Sequence, residues 1–179
     1  MLFFKQLCIC LFIIITILFT VGYASQPIIN SHSPLTANGS PDNVSDMSFY
    51  LSYFTTNFEN IRNVYSQNTN YGDFSNDLKL ALSTEFIICI AISALLGISI
   101  VLAYIGLVKI SKIILTVVLI LMIIAMIVLQ VYILGDTGIS LNTIKSMFSP
   151  TLEYGVGYIL MLTSLVLMIV NYFIYLFLG

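Results

Sequence analysis

Charged side chains are scarce in this sequence: Lys, Arg, Asp and Glu make up only 8% of the residues, whereas 59% are hydrophobic. An ordinary soluble domain has about a quarter of its residues charged. Because a soluble surface needs more charge than this, the sequence predicts that a lipid bilayer surrounds most of the chain. The net charge of -2 and the lack of a basic block argue against nucleic acid as a partner.

The residues that catalysis and metal binding require are also sparse. The one histidine, His32, is isolated in a polar stretch, and neither a phosphate-binding Gly loop nor a His-Glu-x-x-His motif occurs. The three cysteines lie in apolar stretches, so they cannot form a disulfide framework for the polar loop. We therefore predict a protein that is not an enzyme, with no cofactor, no metal site and no small-molecule substrate.

Three apolar runs are long enough to cross a bilayer, and they occupy residues 86–108, 113–134 and 156–179. A hydrocarbon layer of about 30 Å requires roughly 20 residues of helix. Each run must satisfy its own backbone hydrogen bonds in lipid, which makes helix the expected structure.

The first apolar run, within residues 1–24, has two interpretations. Lys5, a short apolar core and the ending Gly22-Tyr23-Ala24 are typical of a cleavable signal peptide. If the Lys5 side chain reaches the interface, the run is also long enough to be a retained span, which we favour. The sequence thus predicts an all-α membrane protein, a four-helix transmembrane bundle, or three helices if the first run is cleaved.

Lysine placement indicates the orientation. Lys5, Lys109 and Lys112 flank the spans on one side, and all eight acidic residues lie in the other two loops. The predicted segments are a cytosolic turn at 109–112, a long first exoplasmic loop at 25–85 and a second exoplasmic loop at 135–155. We expect a multi-pass protein of the plasma membrane or a secretory-pathway membrane, and Asn38 and Asn43 begin Asn-x-Ser sequons for glycosylation in the first loop.

Within the first loop, apolar residues recur at intervals of three and four after Asp46. They are Met47, Leu51, Phe54, Phe58, Ile61 and Tyr65. This spacing predicts an amphipathic helix capped by Ser45 or Asp46. The alternative is a pair of strands, because Phe49, Tyr50 and Tyr53 favour β structure. The face from Leu51 to Tyr65 packs on the ends of the membrane helices or binds a partner protein.

Small and polar residues within the spans indicate close helix packing. They are Ser93, Gly97, Ser99, Ala103 and Gly106 in the second span and Asn171 in the fourth. Such residues let helices approach closely or hydrogen-bond across an interface, either within one bundle or between chains. A channel or transporter would instead require Thr116, Gln130, Thr163, Ser164 and Asn171 to line one pore. Glu85 and Asp136, at the span ends, are interpreted as caps or solvated termini.

Three short stretches carry a family resemblance. They are Leu78 to Leu82 before the second span, the Gly106 and Lys109 exit from it, and Tyr154 to Leu160 opening the fourth. With the long first loop, they resemble the claudin-like superfamily, which includes claudins, peripheral myelin protein types and fungal membrane-compartment proteins. The resemblance implies lateral assembly and the scaffolding of neighbours, so the expected partners are other membrane proteins or copies of itself. An accessory subunit of a membrane complex is a further alternative.

Overall fold

A computed structural model describes residues 2–34, 44–59, 76–130 and 151–178. In chain order the elements are α1 (Leu2–Ala24), β1 (Ile29–Pro34), β2 (Val44–Phe49), α2 (Leu51–Thr56), α3 (Asn76–Tyr104), α4 (Val108–Val128), β3 (Thr151–Tyr154) and α5 (Val156–Leu178). Within the described residues, α1, α3, α4 and α5 are long and apolar enough to cross a membrane. The prediction of a four-helix membrane protein is confirmed.

The four long helices pack as a bundle in which α1 lies along α5 and α3 along α4, while α1 also contacts α3. The largest core side chains include Phe12, Phe19, Ile92, Leu96, Leu115, Met122 and Tyr175. The outer faces are apolar as well, with Ile14, Ile98, Ile120 and Val166 exposed. Helices that are hydrophobic on all sides are those expected in lipid.

A three-stranded antiparallel sheet closes one end of the bundle, in the order β2-β1-β3. In the central strand, Ile29 lies opposite Phe49 on one side and Tyr154 on the other. Because β1 follows α1 directly and β3 precedes α5, the sheet lies where these two helices meet. We call this the sheet end, and the opposite end, at residues 105–107, the turn end.

The link between the second and third long helices lies at Ile105 to Leu107, not at 109–112 as predicted. Gly106 adopts φ +94°, a backbone conformation that only glycine accepts readily, and it reverses the chain there. Gly106 is therefore a turn residue, which corrects its prediction as a helix-packing residue. Lys109 and Lys112 belong to the first turns of α4.

The amphipathic helix predicted from Met47 onward is wrong over its first residues. Val44–Phe49 forms β2, and α2 begins at Leu51 with Tyr50 at the N-cap position and no side-chain cap, so neither Ser45 nor Asp46 has that role. Pairing with β1 holds this segment extended, which local spacing does not reveal. Ile61 and Tyr65 lie outside the described residues.

Candidate functional site

Hydroxyl groups of α3 join it to both neighbouring helices. The Ser93 hydroxyl lies 3.0 Å from that of Thr20 on α1, and the buried Ser99 hydroxyl lies 2.9 Å from that of Ser111 on α4. Ser111 Oγ also lies 3.0 Å from the Ser99 carbonyl oxygen, to which it donates. Ser93 and Ser99 thus contact helices of the same chain.

The other two predicted packing residues of α3 differ from each other. Ala103 is buried at 1% exposure, as close packing requires. A Cβ added to Gly97 would meet nothing within 4 Å, so this glycine has open space beside it.

Asn171 joins α5 to α1 near the turn end. It is buried, and its Nδ2 donates to the Cys8 carbonyl oxygen at 2.9 Å. One helical turn later, the Tyr175 ring meets the Phe12 ring edge-on, with centroids 5.5 Å apart. Lys112 on α4 donates to the Leu176 carbonyl oxygen at 3.3 Å, so three helices meet here.

The polar residues that a pore would need do not share one groove. The Thr116 hydroxyl bonds that of Tyr172, and the Gln130 side chain bonds Tyr154 and Tyr158. The Ser164 hydroxyl donates to the Met161 carbonyl oxygen, and Asn171 donates to that of Cys8. Thr163 is exposed. Gln130 lies at the sheet end and Asn171 toward the turn end. This arrangement consolidates the bundle rather than lining a single path.

Three glycines, Gly22, Gly155 and Gly157, lie where the end of α1 and the start of α5 approach each other closely. Gly155 N–H donates to the Ile28 carbonyl at 2.7 Å, and Gly157 N–H donates to that of Pro27 at 2.8 Å. A Cβ on Gly157 would lie 2.5 Å from the Gly22 carbonyl oxygen, and one on Gly22 would lie 2.9 Å from that of Gly157. This junction was not predicted from the sequence, although the two glycines at the start of the last span were a signal for it.

Helix α2 docks on the sheet end of the bundle. Leu51 is completely buried and Phe58 is 2% exposed. The Ser52 hydroxyl donates to the Ala24 carbonyl oxygen at 2.7 Å, and the Thr55 hydroxyl lies 3.5 Å from the Leu82 carbonyl oxygen. Leu51 and Phe58 therefore pack within this chain and are not presented to a partner.

Three other predicted site residues cannot be placed. The Phe54 side chain and both sequon residues, Asn38 and Asn43, lie outside what the structure describes.

Glu85 is a completely buried acidic residue in α3. The apolar span begins at Lys79, and Glu85 lies roughly 9 Å farther along it at the helical rise of 1.5 Å per residue. Its Oε1 accepts from the Cys89 thiol at 3.8 Å, and its Oε2 has no hydrogen-bond partner among the described residues. The interpretation of Glu85 as a solvated helix terminus is wrong, because α3 begins nine residues earlier and α2 covers this region.

Comparison with known protein families, with characterised proteins and with solved structures finds no match to this chain. The fold alone defines the class of this chain, a multi-pass helical membrane protein with a small sheet at one end.

Proposed function

We propose that this chain is a non-catalytic multi-pass membrane protein that organises membrane partners, or copies of itself, laterally. One observation carries the proposal: the interhelical polar contacts of α1, α3, α4 and α5 are made within the chain, and the outer faces are apolar. The buried Ser99 hydroxyl, for example, is satisfied by Ser111 of the same chain and needs no second one. Its apolar exterior and the sheet then remain as the surfaces that neighbours contact.

The proposal includes an orientation. Lys5, Lys109 and Lys112 belong to the turn end, which the positive-inside rule assigns to the cytosol. The sheet then faces the exoplasmic side of the plasma membrane or of a secretory-pathway membrane, where Asn38 and Asn43 are available for glycosylation. The resemblance to the claudin-like superfamily stays part of this proposal, as does an adhesion or scaffolding role.

Site-specific photo-cross-linking in native membranes tests the proposal. A photoreactive amino acid is placed at one exposed position per span, namely Ile14, Ile98, Ile120 and Val166, and at the buried Leu96 as the matched control. We expect at least one outer position to give a discrete product with a second copy or one membrane partner, and Leu96 to give none. Lipid adducts alone from all four outer positions would contradict lateral organisation.

A second candidate, a subunit of a small channel or transporter, is favoured by a single observation. Glu85 is an acidic group buried inside a span, and such residues commonly mark ion or proton pathways. Proteoliposomes with an internal pH-sensitive dye test it, using wild type and Glu85→Gln. Proton entry driven by a membrane potential and abolished in Glu85→Gln would support transport through Glu85. Equal rates in both proteins would exclude a role for Glu85 and remove the observation that favours this candidate.

A further inference from the structure

The Glu85 carboxyl lacks the groups that normally stabilise a buried negative charge. Buried carboxylates in proteins are paired with a cation or accept several hydrogen bonds, because an isolated buried charge is very costly. Within the described residues, Glu85 has only the weak thiol donor of Cys89. Leu82 and Cys89, which lie three residues before and four residues after Glu85 on the same face of α3, are completely buried as well.

The basic side chains of the packed elements lie away from Glu85. Lys79, on the same helix, pairs with Glu59 at the surface, where both side chains are about half exposed. Lys5 of α1 and Lys109 and Lys112 of α4 belong to the turn end, at the other extremity of the bundle.

The other titratable groups near this region are tyrosine hydroxyls and a thiol, which carry no positive charge in either protonation state. Tyr23 of α1 contacts Phe86, and Cys89 contacts Glu85 itself. Tyr53 of α2 is 56% exposed and faces outward. No described group therefore supplies a compensating positive charge.

The two carboxyl oxygens have different roles. Oε1 accepts the Cys89 S–H, as a carbonyl-type oxygen does. Oε2 is buried without a partner, so it is the oxygen that can carry a proton without losing an existing bond. Above this site, α2 contacts Leu82, which lies one turn before Glu85 on α3.

We propose that Glu85 is a proton-binding site inside the bundle, a neutral carboxylic acid with its proton on Oε2, covered by α2 on the sheet side. The ligand is the proton itself. The inference does not depend on the proposed function, because a scaffold and a transporter subunit can both contain such a site.

Infrared difference spectroscopy of the membrane-reconstituted protein at neutral pH tests the proposal directly. The spectrum of Glu85→Gln is subtracted from that of wild type, and Glu59→Gln serves as the matched control for an exposed, ion-paired acid. We expect Glu85→Gln to remove the carbonyl stretch of a protonated carboxyl and Glu59→Gln to remove a carboxylate stretch. Loss of a carboxylate stretch in Glu85→Gln would overturn the proposal.

A chemical probe keeps the test valid if Glu85→Gln does not fold, because it uses the wild-type chain. Dicyclohexylcarbodiimide, a lipophilic reagent, reacts with protonated carboxyls: the acid proton moves to a carbodiimide nitrogen and the carboxyl oxygen bonds the central carbon. Transfer of the acyl group from oxygen to nitrogen then gives a stable adduct, with no leaving group. Mass spectrometry is expected to find the adduct on Glu85 at least tenfold more often than on Glu59, and the reverse preference would refute a neutral Glu85.

Discussion

Gly157 has no room for a side chain, because its Cβ position is closed by backbone oxygens of Gly22, Gln26 and Pro27 at 2.5 to 2.9 Å. A Gly157→Ala substitution must move α5 away from α1, and overpacking of this kind costs about 1–3 kcal/mol. We expect a lower unfolding temperature in detergent. A thiol-reactive dye measures the unfolding temperature, because the buried Cys8 and Cys89 react with it only when the protein unfolds. The exposed Cys10 is replaced by serine in all variants.

Gly97→Ala is the matched control for this prediction. Gly97 also lies in a spanning helix, but its Cβ position is open, and alanine favours helix over glycine by about 1 kcal/mol. Its unfolding temperature is expected to stay the same or rise. Equal losses for Gly157→Ala and Gly97→Ala would contradict the glycine junction.

Asn171 makes the second residue-specific prediction. Asn171→Ala removes the hydrogen bond to the Cys8 carbonyl, and such bonds between membrane helices contribute about 1 kcal/mol. The same dye assay is expected to show a moderately lower unfolding temperature. Thr163→Ala, on the exposed face of the same helix, is expected to leave the unfolding temperature unchanged. An equal effect of the two substitutions would contradict a stabilising role for the Asn171 hydrogen bond.

Strand β1 lies at the centre of the sheet, between β2 and β3, although its sequence does not predict a strand. Its register is testable through Asn30 and Ser48, which lie opposite each other, with Ser48 Oγ 2.9 Å from Asn30 Oδ1. Directly opposite residues in an antiparallel pair have Cα atoms about 4.5–5.5 Å apart, within the range that a disulfide spans. In a chain without its native cysteines, Asn30→Cys with Ser48→Cys is expected to form a disulfide on mild oxidation.

A one-residue shift provides the control for this pair. Asn30→Cys with Phe49→Cys places the two thiols on opposite faces of the sheet, so it is expected to stay reduced. Gel mobility before and after reduction reads both pairs. Preferential oxidation of the shifted pair would disprove the register.

Helix α1 is expected to remain in the mature protein. It supplies Phe12, Ile15 and Phe19 to the core, and Gly22 packs against the backbone of α5. Cleavage after Ala24 would uncover α3 and α5 and remove the partner of Asn171. Intact-mass measurement is expected to find residues 2–24 attached, and a mature chain beginning at Ser25 would contradict this role for α1.

The long helices were predictable and the sheet was not, for different physical reasons. Spans are set by hydropathy over about 20 residues, which is local information. By contrast, β1 reads Ile-Asn-Ser-His-Ser-Pro, with no apolar alternation, and it is held by a strand from the far end of the chain. Asn171 could be singled out because an amide is costly in lipid. The burial of Glu85 was not predicted, because hydropathy placed the start of the span at residue 86 and left Glu85 outside it.

For the molecule as a whole, the central prediction is its sidedness. In a cysteine-free chain, Ser48→Cys on β2 and Lys109→Cys at the turn end are both exposed positions. A maleimide that cannot cross membranes is expected to label Ser48→Cys on intact cells and Lys109→Cys only after permeabilisation. The opposite pattern would invert the proposed orientation.

The position of β1 between β2 and β3 imposes an order on biosynthesis. During translation β2 is available to β1 at once, but β3 follows roughly a hundred residues later, a delay of about 5–20 s at ribosomal speed. Until the last span is inserted, one edge of β1 keeps unpaired peptide groups, which are a template for association with other chains. Closure of this edge of β1 thus waits for the carboxy-terminal part of the chain, which brings β3 together with α5.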